Sequence, residues 1–295
     1  MARLSLAAVV LAYAEVMLGS WTRINGAGMT CPDYPLCRGA LIPAMGGGTV
    51  WEWTHRVTAG VLSLLVIALL AHAWRVRRSA RFVMPAAAAI AALFAFQVFL
   101  GAATVHLANS PISVVWHWGT AMAFVASLAA MGVLSATAGN AAPPPSSALP
   151  AYVLAATAAI AFVVMCIGAY VSSSGAGLAC TDIPECAGRV VVHTPGQFVQ
   201  MLHRFAAAVA LLCGVASCAL SWTMGSPRAV RAAATAGALL LFVQVLLGLL
   251  NVALRLPIEL REAHAANAAL VFLAFVSAAV LQAAPQPRAA ASTRA

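Results

Sequence analysis

The sequence predicts an all-α integral membrane protein. Eight transmembrane helices form two tandem four-helix bundles, related by a pseudo-two-fold axis along the membrane normal. Three observations predict this. The chain is 63% hydrophobic and only 8% charged, a balance foreign to ordinary soluble domains. Eight apolar runs can be marked along it, each about the 20 residues that cross a bilayer. Motifs of the first half return in the second about 148 residues later, as duplication of a whole structural unit requires.

The runs fall at roughly 4–20, 53–74, 82–105, 114–138, 150–171, 199–223, 232–253 and 262–283. Lipid offers no partners to free backbone groups, so each run is read as a helix. The first run has the character of a signal peptide when taken alone. Its counterpart at 150–171 sits mid-chain and must be retained, so the first is expected to be retained as well. Four helices make an N-terminal half, 1–138, and four a C-terminal half, 150–295. Residues 139–149 join them as a cytoplasmic linker, where Pro143-Pro144-Pro145-Ser146-Ser147 cannot continue a helix. An even number of helices per half inserts both halves the same way, so the repeat is parallel. Two long loops, 21–51 and 172–198, are rich in Gly, Pro, Ser and Thr.

Charge orients the chain. Every basic side chain is arginine, and Arg75, Arg77, Arg78, Arg81, Arg228, Arg231, Arg288 and Arg294 gather at one set of helix ends. The positive-inside rule makes that side cytoplasmic, with both termini. Asp33, Glu52, Asp182, Glu185, Glu259 and Glu262 fall on the other side, leaving Glu15 as the one acid inside a predicted helix. The net charge of +9 therefore reports membrane topology, and nucleic acid is not expected as a partner. A bacterial cell membrane is the expected location.

The repeat keeps chemistry. Gly26-Ala27-Gly28 leads into Cys31 and Cys37, and Gly175-Ala176-Gly177 into Cys180 and Cys186. His55-Arg56 returns as His203-Arg204, Gln97 to Gly101 as Gln244 to Gly248, and His117 as His264. All four histidines lie a few residues inside the outer end of an even-numbered helix. A single membrane histidine reads most simply as a hydrogen bond to a neighbouring helix. Four at one depth, in duplicated pairs, read as axial ligands that hold one haem iron per half from both sides. His72, His106 and His193 have no repeat partner and are read as solvated or interfacial.

Arg56 and Arg204 follow the ligand candidates. They suit either the anionic propionates of a haem or simple snorkelling to the interface. Glu52 precedes His55 by three residues on one helix face, whereas the matching position in the second half is Gln200. A carboxylate moves protons and an amide does not, so the halves share architecture and differ in chemistry. The bland alternative is an interfacial glutamate. Glu15 is read as lining the first pocket or pairing with an arginine. The four loop cysteines face the oxidising side. They allow three pairings, of which intraloop bridges are the simplest. Five intervening residues are more than structural zinc sites usually use. Cys166, Cys213 and Cys218 read as small buried residues within helices.

Taken together, Thr22-Arg23, Gly26-Ala27-Gly28, the loop Cys31-Pro32-Asp33-Tyr34-Pro35-Leu36-Cys37-Arg38-Gly39, Glu52-x-x-His55-Arg56 and the paired histidines resemble the haem A synthase family. The resemblance runs from helix 1 to helix 8. It implies an oxidoreductase that converts a methyl group of haem O to the formyl group of haem A through a hydroxylated intermediate. It implies that His55 and His117 hold the substrate haem, that His203 and His264 hold a haem B, and that Glu52 is the catalytic carboxylate. It implies a disulfide between Cys31 and Cys37. The second cysteine pair is not present in every member, and Tyr34 stands where tryptophan is common. A haem O synthase, cytochrome oxidase assembly, membrane lipid and a redox partner of unknown identity are the implied partners. Two other readings fit the histidine pairs: a di-haem b-type electron-transfer protein, and a haem transporter or chaperone. The electron-transfer reading accounts for neither the Glu52/Gln200 asymmetry nor the cysteine loops.

Overall fold

A computed structural model describes residues 1–80, 82–137, 141–142, 147–186, 188, 192–284 and 286–287. Arg81, Arg288, Arg294 and most of the linker lie outside the described residues. The helices are α1 (Ala2–Ile24), α2 (Thr49–Val76), α3 (Val83–His106), α4 (Pro111–Thr137), α5 (Leu149–Ser173), α6 (Pro195–Thr223), α7 (Arg228–Ala253) and α8 (Ile258–Ala283). All 8 are long and apolar enough to cross a membrane. A 3₁₀ turn, Ala176–Leu178, follows α5, and Ala141–Ala142 pairs antiparallel with Gln286–Pro287.

Most helices run further than the apolar runs alone predict. Polar first turns are the reason. Glu52 begins α2 and Glu259 and Glu262 begin α8, so Glu15 is not the sole acid within a helix. Prolines sit where a missing N–H costs nothing: Pro111 opens α4, Pro150 the first turn of α5, and Pro195 the first turn of α6. Thr194 caps α6, its hydroxyl accepting from the Gln197 amide at 3.2 Å. At the other end of α1, Gly26 turns the chain with φ +72°, and Gly175 does the same after α5 with φ +75°.

Within the first half α1 touches α2 and α4, and α3 packs between α2 and α4. Within the second half α5 touches α6 and α8, and α7 packs between α6 and α8. The halves meet through α4 on α5, α4 on α8 and α1 on α8. Exchanging the halves leaves this set of neighbours unchanged. One apolar core is built on Ala8, Leu69, Val125 and Leu128, the other on Leu154, Val230, Ala234 and Phe275. Small residues let the helices approach closely, as membrane bundles require. Phe275 is admitted because Gly214 and Gly237 face it: a Cβ there would lie 3.1 and 2.9 Å from its ring. Leu64, Ile67, Phe99 and Leu212 are exposed and offer the outer faces to lipid. Both cores lie toward the end of the helices away from the histidines, and the histidine end of the first half is left hollow.

Candidate active site

Each histidine is seated on a glycine of the preceding helix in its bundle. A Cβ on Gly19 of α1 would lie 2.7 Å from His55 Cε1, and one on Gly168 of α5 would lie 2.9 Å from His203 Cε1. A Cβ on Gly101 of α3 or Gly248 of α7 would lie 3.2 Å from the Cε1 of His117 or His264. At Gly19 and Gly168 a side chain would have to displace the imidazole, and at Gly101 and Gly248 the ring would have to give slightly, so the glycines seat the four rings, the first two most strictly. Glutamines complete the seats. Gln97 Nε2 lies 3.0 Å from His117 Nδ1, and Gln244 Nε2 lies 3.1 Å from His264 Nε2. Asn267 donates to Gln244 Oε1 at 2.8 Å and so orients that amide.

His55 and His117 face one cavity in the first half, together with Glu15, Glu52, Arg23 and Trp118. In the second half the rings of His203 and His264 stand with centroids 6.4 Å apart. With metal–imidazole bonds of about 2.0–2.1 Å, two ligands on opposite sides of one iron put their ring centres roughly 6 Å apart. The spacing thus fits axial ligation of a haem. Among the described residues, no three His, Cys, Asp or Glu side chains converge as a bare metal ion would require. A haem supplies its own equatorial ligands and needs only the pair.

The carboxylates are arranged differently from the sequence reading. Glu15 is buried and its Oε1 lies 2.8 Å from His55 Nδ1. It lines the first cavity, as expected, but its partner is the histidine and not an arginine. Glu52 is buried as well, and three donors hold it: the Cys31 amide at 2.8 Å, the Thr30 hydroxyl at 2.9 Å and Arg56 Nη2 at 2.8 Å. It is not an exposed interfacial glutamate. Gln200 occupies the same structural position, accepting from the Cys180 amide and donating to the Gly177 carbonyl at 2.7 Å.

The arginines find partners in the loops. Arg56 donates to the carbonyls of Cys31, Asp33 and Leu36 in addition to Glu52. Arg204 donates to the carbonyls of Cys180, Asp182 and Glu185. Both forks reach up into the cysteine loops, and Arg56 lines the first cavity as well. A guanidinium carries five donors in a fixed plane and is well suited to gathering the carbonyls of a loop that has no strand to pair with. The loops are further closed by Cys31–Cys37 and Cys180–Cys186, whose sulfurs lie 1.93 and 2.06 Å apart. This intraloop pairing removes the zinc alternative. Asp33 accepts from the Arg38 and Gly39 amides; chiefly the Gly39 bond holds its carboxyl below the ordinary range.

Arg23 is the cation that sequence reasoning passed over as a cavity residue. It lines the first cavity, is partly buried, and donates to Ser172 Oγ on α5 at 3.0 Å. Among the described residues no carboxylate lies within ion-pair distance of it. The signal was present, because Arg23 and Ser172 hold equivalent repeat positions at the ends of α1 and α5. Of the other histidines, His72 Nε2 lies 3.4 Å from the amino terminus, and His193 stands in the loop before α6, where its amide donates to Gln197 Oε1. Neither reaches the first cavity.

Fold and site together define a class: multi-pass membrane proteins that carry a histidine pair in each half beneath a disulfide-closed loop. Within that class the chain belongs to the COX15-CtaA family of cytochrome oxidase assembly proteins, whose sequence model matches residues 47–276. It is 33% identical to the heme A synthase of Shouchella clausii over 72% of this chain and 72% of that protein. It is 31% identical to the heme A synthase of Halalkalibacterium halodurans over 68% of this chain and 67% of the relative. With the heme A synthase of Bacillus licheniformis the identity is 30%, over 64% of this chain and 65% of the relative.

Proposed function

We propose that this protein is a haem A synthase, an oxidoreductase that converts a methyl group of haem O to the formyl group of haem A through a hydroxylated intermediate. The observation that carries the reading is the inequality of the two histidine sites. The first has two buried carboxylates, Glu15 and Glu52, at positions where the second has Val164 and Gln200. An electron carrier has no use for a proton acceptor such as Glu52 in one site alone; an enzyme with one reactive site does. Kinship with heme A synthases points the same way.

In this reading 1–138 is the catalytic half and 150–295 the cofactor half, two four-helix units related by a two-fold axis. His55 and His117 hold the substrate haem O in the first cavity. Arg23 and Arg56 both line the cavity and are the cations offered to its propionates. Glu52 accepts protons lost from the methyl carbon, a task that Gln200 cannot perform. Arg56 and the Cys31–Cys37 loop hold Glu52 over the cavity. His203 and His264 would hold a haem B, which supplies a one-electron redox centre when bound. The apolar walls suit a farnesylated substrate arriving from the bilayer. The arginine-rich helix ends favour cytoplasmic termini and outer cysteine loops. Cytochrome oxidase assembly is the process served.

The test is a mass spectrum of haem extracted from the purified protein after expression with a supply of haem O. Haem A or a hydroxylated haem O beside haem B is the expected result. Haem B alone would leave a di-haem electron carrier. Unmodified haem O that exchanges freely would leave a transporter or chaperone.

A further inference from the structure

Glu15 and Gly19 are one helical turn apart on the same face of α1, and both touch His55. The ring packs on Gly19, where a Cβ would lie 2.7 Å from Cε1, and its Nδ1 meets Glu15 Oε1 at 2.8 Å. The second half repeats the cradle without the carboxylate. Gly168 supports His203 in the same way, and the residue one turn before it is Val164. Backbone and ring are thus alike in the two halves, and one side chain differs.

From this contact we infer that Glu15 is the positioning residue of the first site: it fixes the tautomer and orientation of His55 and sets the redox character of the haem bound there apart from that of the second. The inference rests on the reading of His55 and His117 as haem ligands. With Nδ1 2.8 Å from Glu15 Oε1, Nε2 is the nitrogen left to meet iron. A carboxylate that accepts the far N–H of a ligating imidazole raises its basicity and holds its plane. A more electron-rich ligand stabilises ferric over ferrous iron, so the first haem has the lower potential. His203 meets no carboxylate at position 164, only the backbone of Val164. Glu15 touches neither the substrate's reacting carbon nor the iron; it acts through His55.

The experiment uses the full-length protein loaded with protohaem and titrated by optical potentiometry. His117→Ala identifies the signal of the first-half haem. Glu15→Val copies the second half, where valine already fills this position, and so removes the carboxylate by a change the fold accommodates. Glu15→Gln keeps the acceptor oxygen and the shape but not the charge. Loss of such an outer partner costs about 10–100-fold in affinity. If the loss falls on the ferric form, each factor of ten reads as about 59 mV in a one-electron couple. The expected result is a rise in the midpoint of the first-half haem in Glu15→Val, a smaller rise in Glu15→Gln, and an unmoved second-half haem. If neither variant moves the first-half midpoint, or both haems move together, Glu15 is a packing residue and the inference is overturned. If His117→Ala removes no haem signal, the histidine-pair reading itself fails and the inference falls with it. The His117 control thus separates the two failures.

Discussion

The Glu52 carboxylate accepts a hydrogen bond from the backbone amide of Cys31 at 2.8 Å, and Gln200 repeats that contact with the amide of Cys180. The pair of side chains therefore has a shared architectural task, to fasten a disulfide loop over a histidine site. What distinguishes them is charge. Substituting alanine for Glu52 removes both tasks at once and cannot tell them apart.

Glu52→Gln separates them. The amide oxygen can still accept from Cys31, as Gln200 shows is compatible with the same loop. The protein is expected to fold, keep both disulfides and bind haem at both sites. Haem A formation is expected to fall by about 10²–10⁴-fold, the usual worth of a positioned acid–base group. Extracted haem, measured by mass spectrometry beside total haem from the absorbance spectrum, decides it. Normal haem A output from this variant would remove Glu52 from the chemistry and leave it as a loop anchor.

The glycine seats make a prediction that is specific to each half. Gly19→Ala would push a Cβ to 2.7 Å from His55, and the ring must swing away from both the seat and Glu15. Gly168→Ala does the same to His203 at 2.9 Å. Each overpacking is expected to cost about 1–3 kcal/mol, read as loss of haem from the affected half only. Haem stoichiometry in the two variants should fall from two toward one, with different spectra left behind. Loss of both haems from either single variant would show that the halves do not bind independently.

Much of this was legible in the sequence. Composition and run length were enough to read eight spans, and the repeat assigned the four histidines and the cysteine pairs to equivalent places. Helix ends were read short because Glu52 and Glu259 look like loop residues to any hydropathy argument; a first turn at the membrane surface tolerates them. The partners of Arg56 were not legible. Propionate and loop carbonyl are equally good acceptors for a guanidinium, and the carbonyls come to Arg56 only through the path of residues 31–36 over α2. The Glu15–His55 contact was hidden for a different reason, since it joins α1 to α2 across a spacing that no motif records.

The disulfide loops supply a third prediction. Cys31 and Cys37 close a short loop, with a sequence separation of 6, and both are buried. A cross-link of this size is worth roughly 2 kcal/mol by chain entropy, and Arg56 adds its carbonyl contacts independently. Cys31→Ser with Cys37→Ser is therefore expected to lower thermal stability modestly and to leave the first-half haem bound. Activity should fall more than stability, because the Cys31 amide that holds Glu52 is freed to move. Thermal denaturation followed by tryptophan fluorescence, compared with haem A yield, measures both. A variant that loses all haem would instead make the disulfide essential to the fold of the half.

The last prediction concerns Arg23, which lines the first cavity beside Arg56 and has a serine hydroxyl for a hydrogen-bond partner. A charge removed from bulk water needs a close counter-charge; Glu262 of α8 acts on Arg23 only from beyond ion-pair distance, and among the described residues no carboxylate lies within it. A propionate entering the cavity would satisfy that need. Hydrogen bonds to charged groups are worth about 1.5–3 kcal/mol, which corresponds to about 10–150-fold in affinity. Arg23→Gln is expected to weaken binding of protohaem to the first half by that factor, and Arg23→Lys to restore part of it. Protohaem dimethyl ester, which has lost the anion, should bind the wild-type protein more weakly than the free acid. Arg23→Gln should bind acid and ester alike. If the variant still prefers the acid, the propionates are read elsewhere, and the Ser172 contact is Arg23's whole role: a strut between α1 and α5 where the two halves meet.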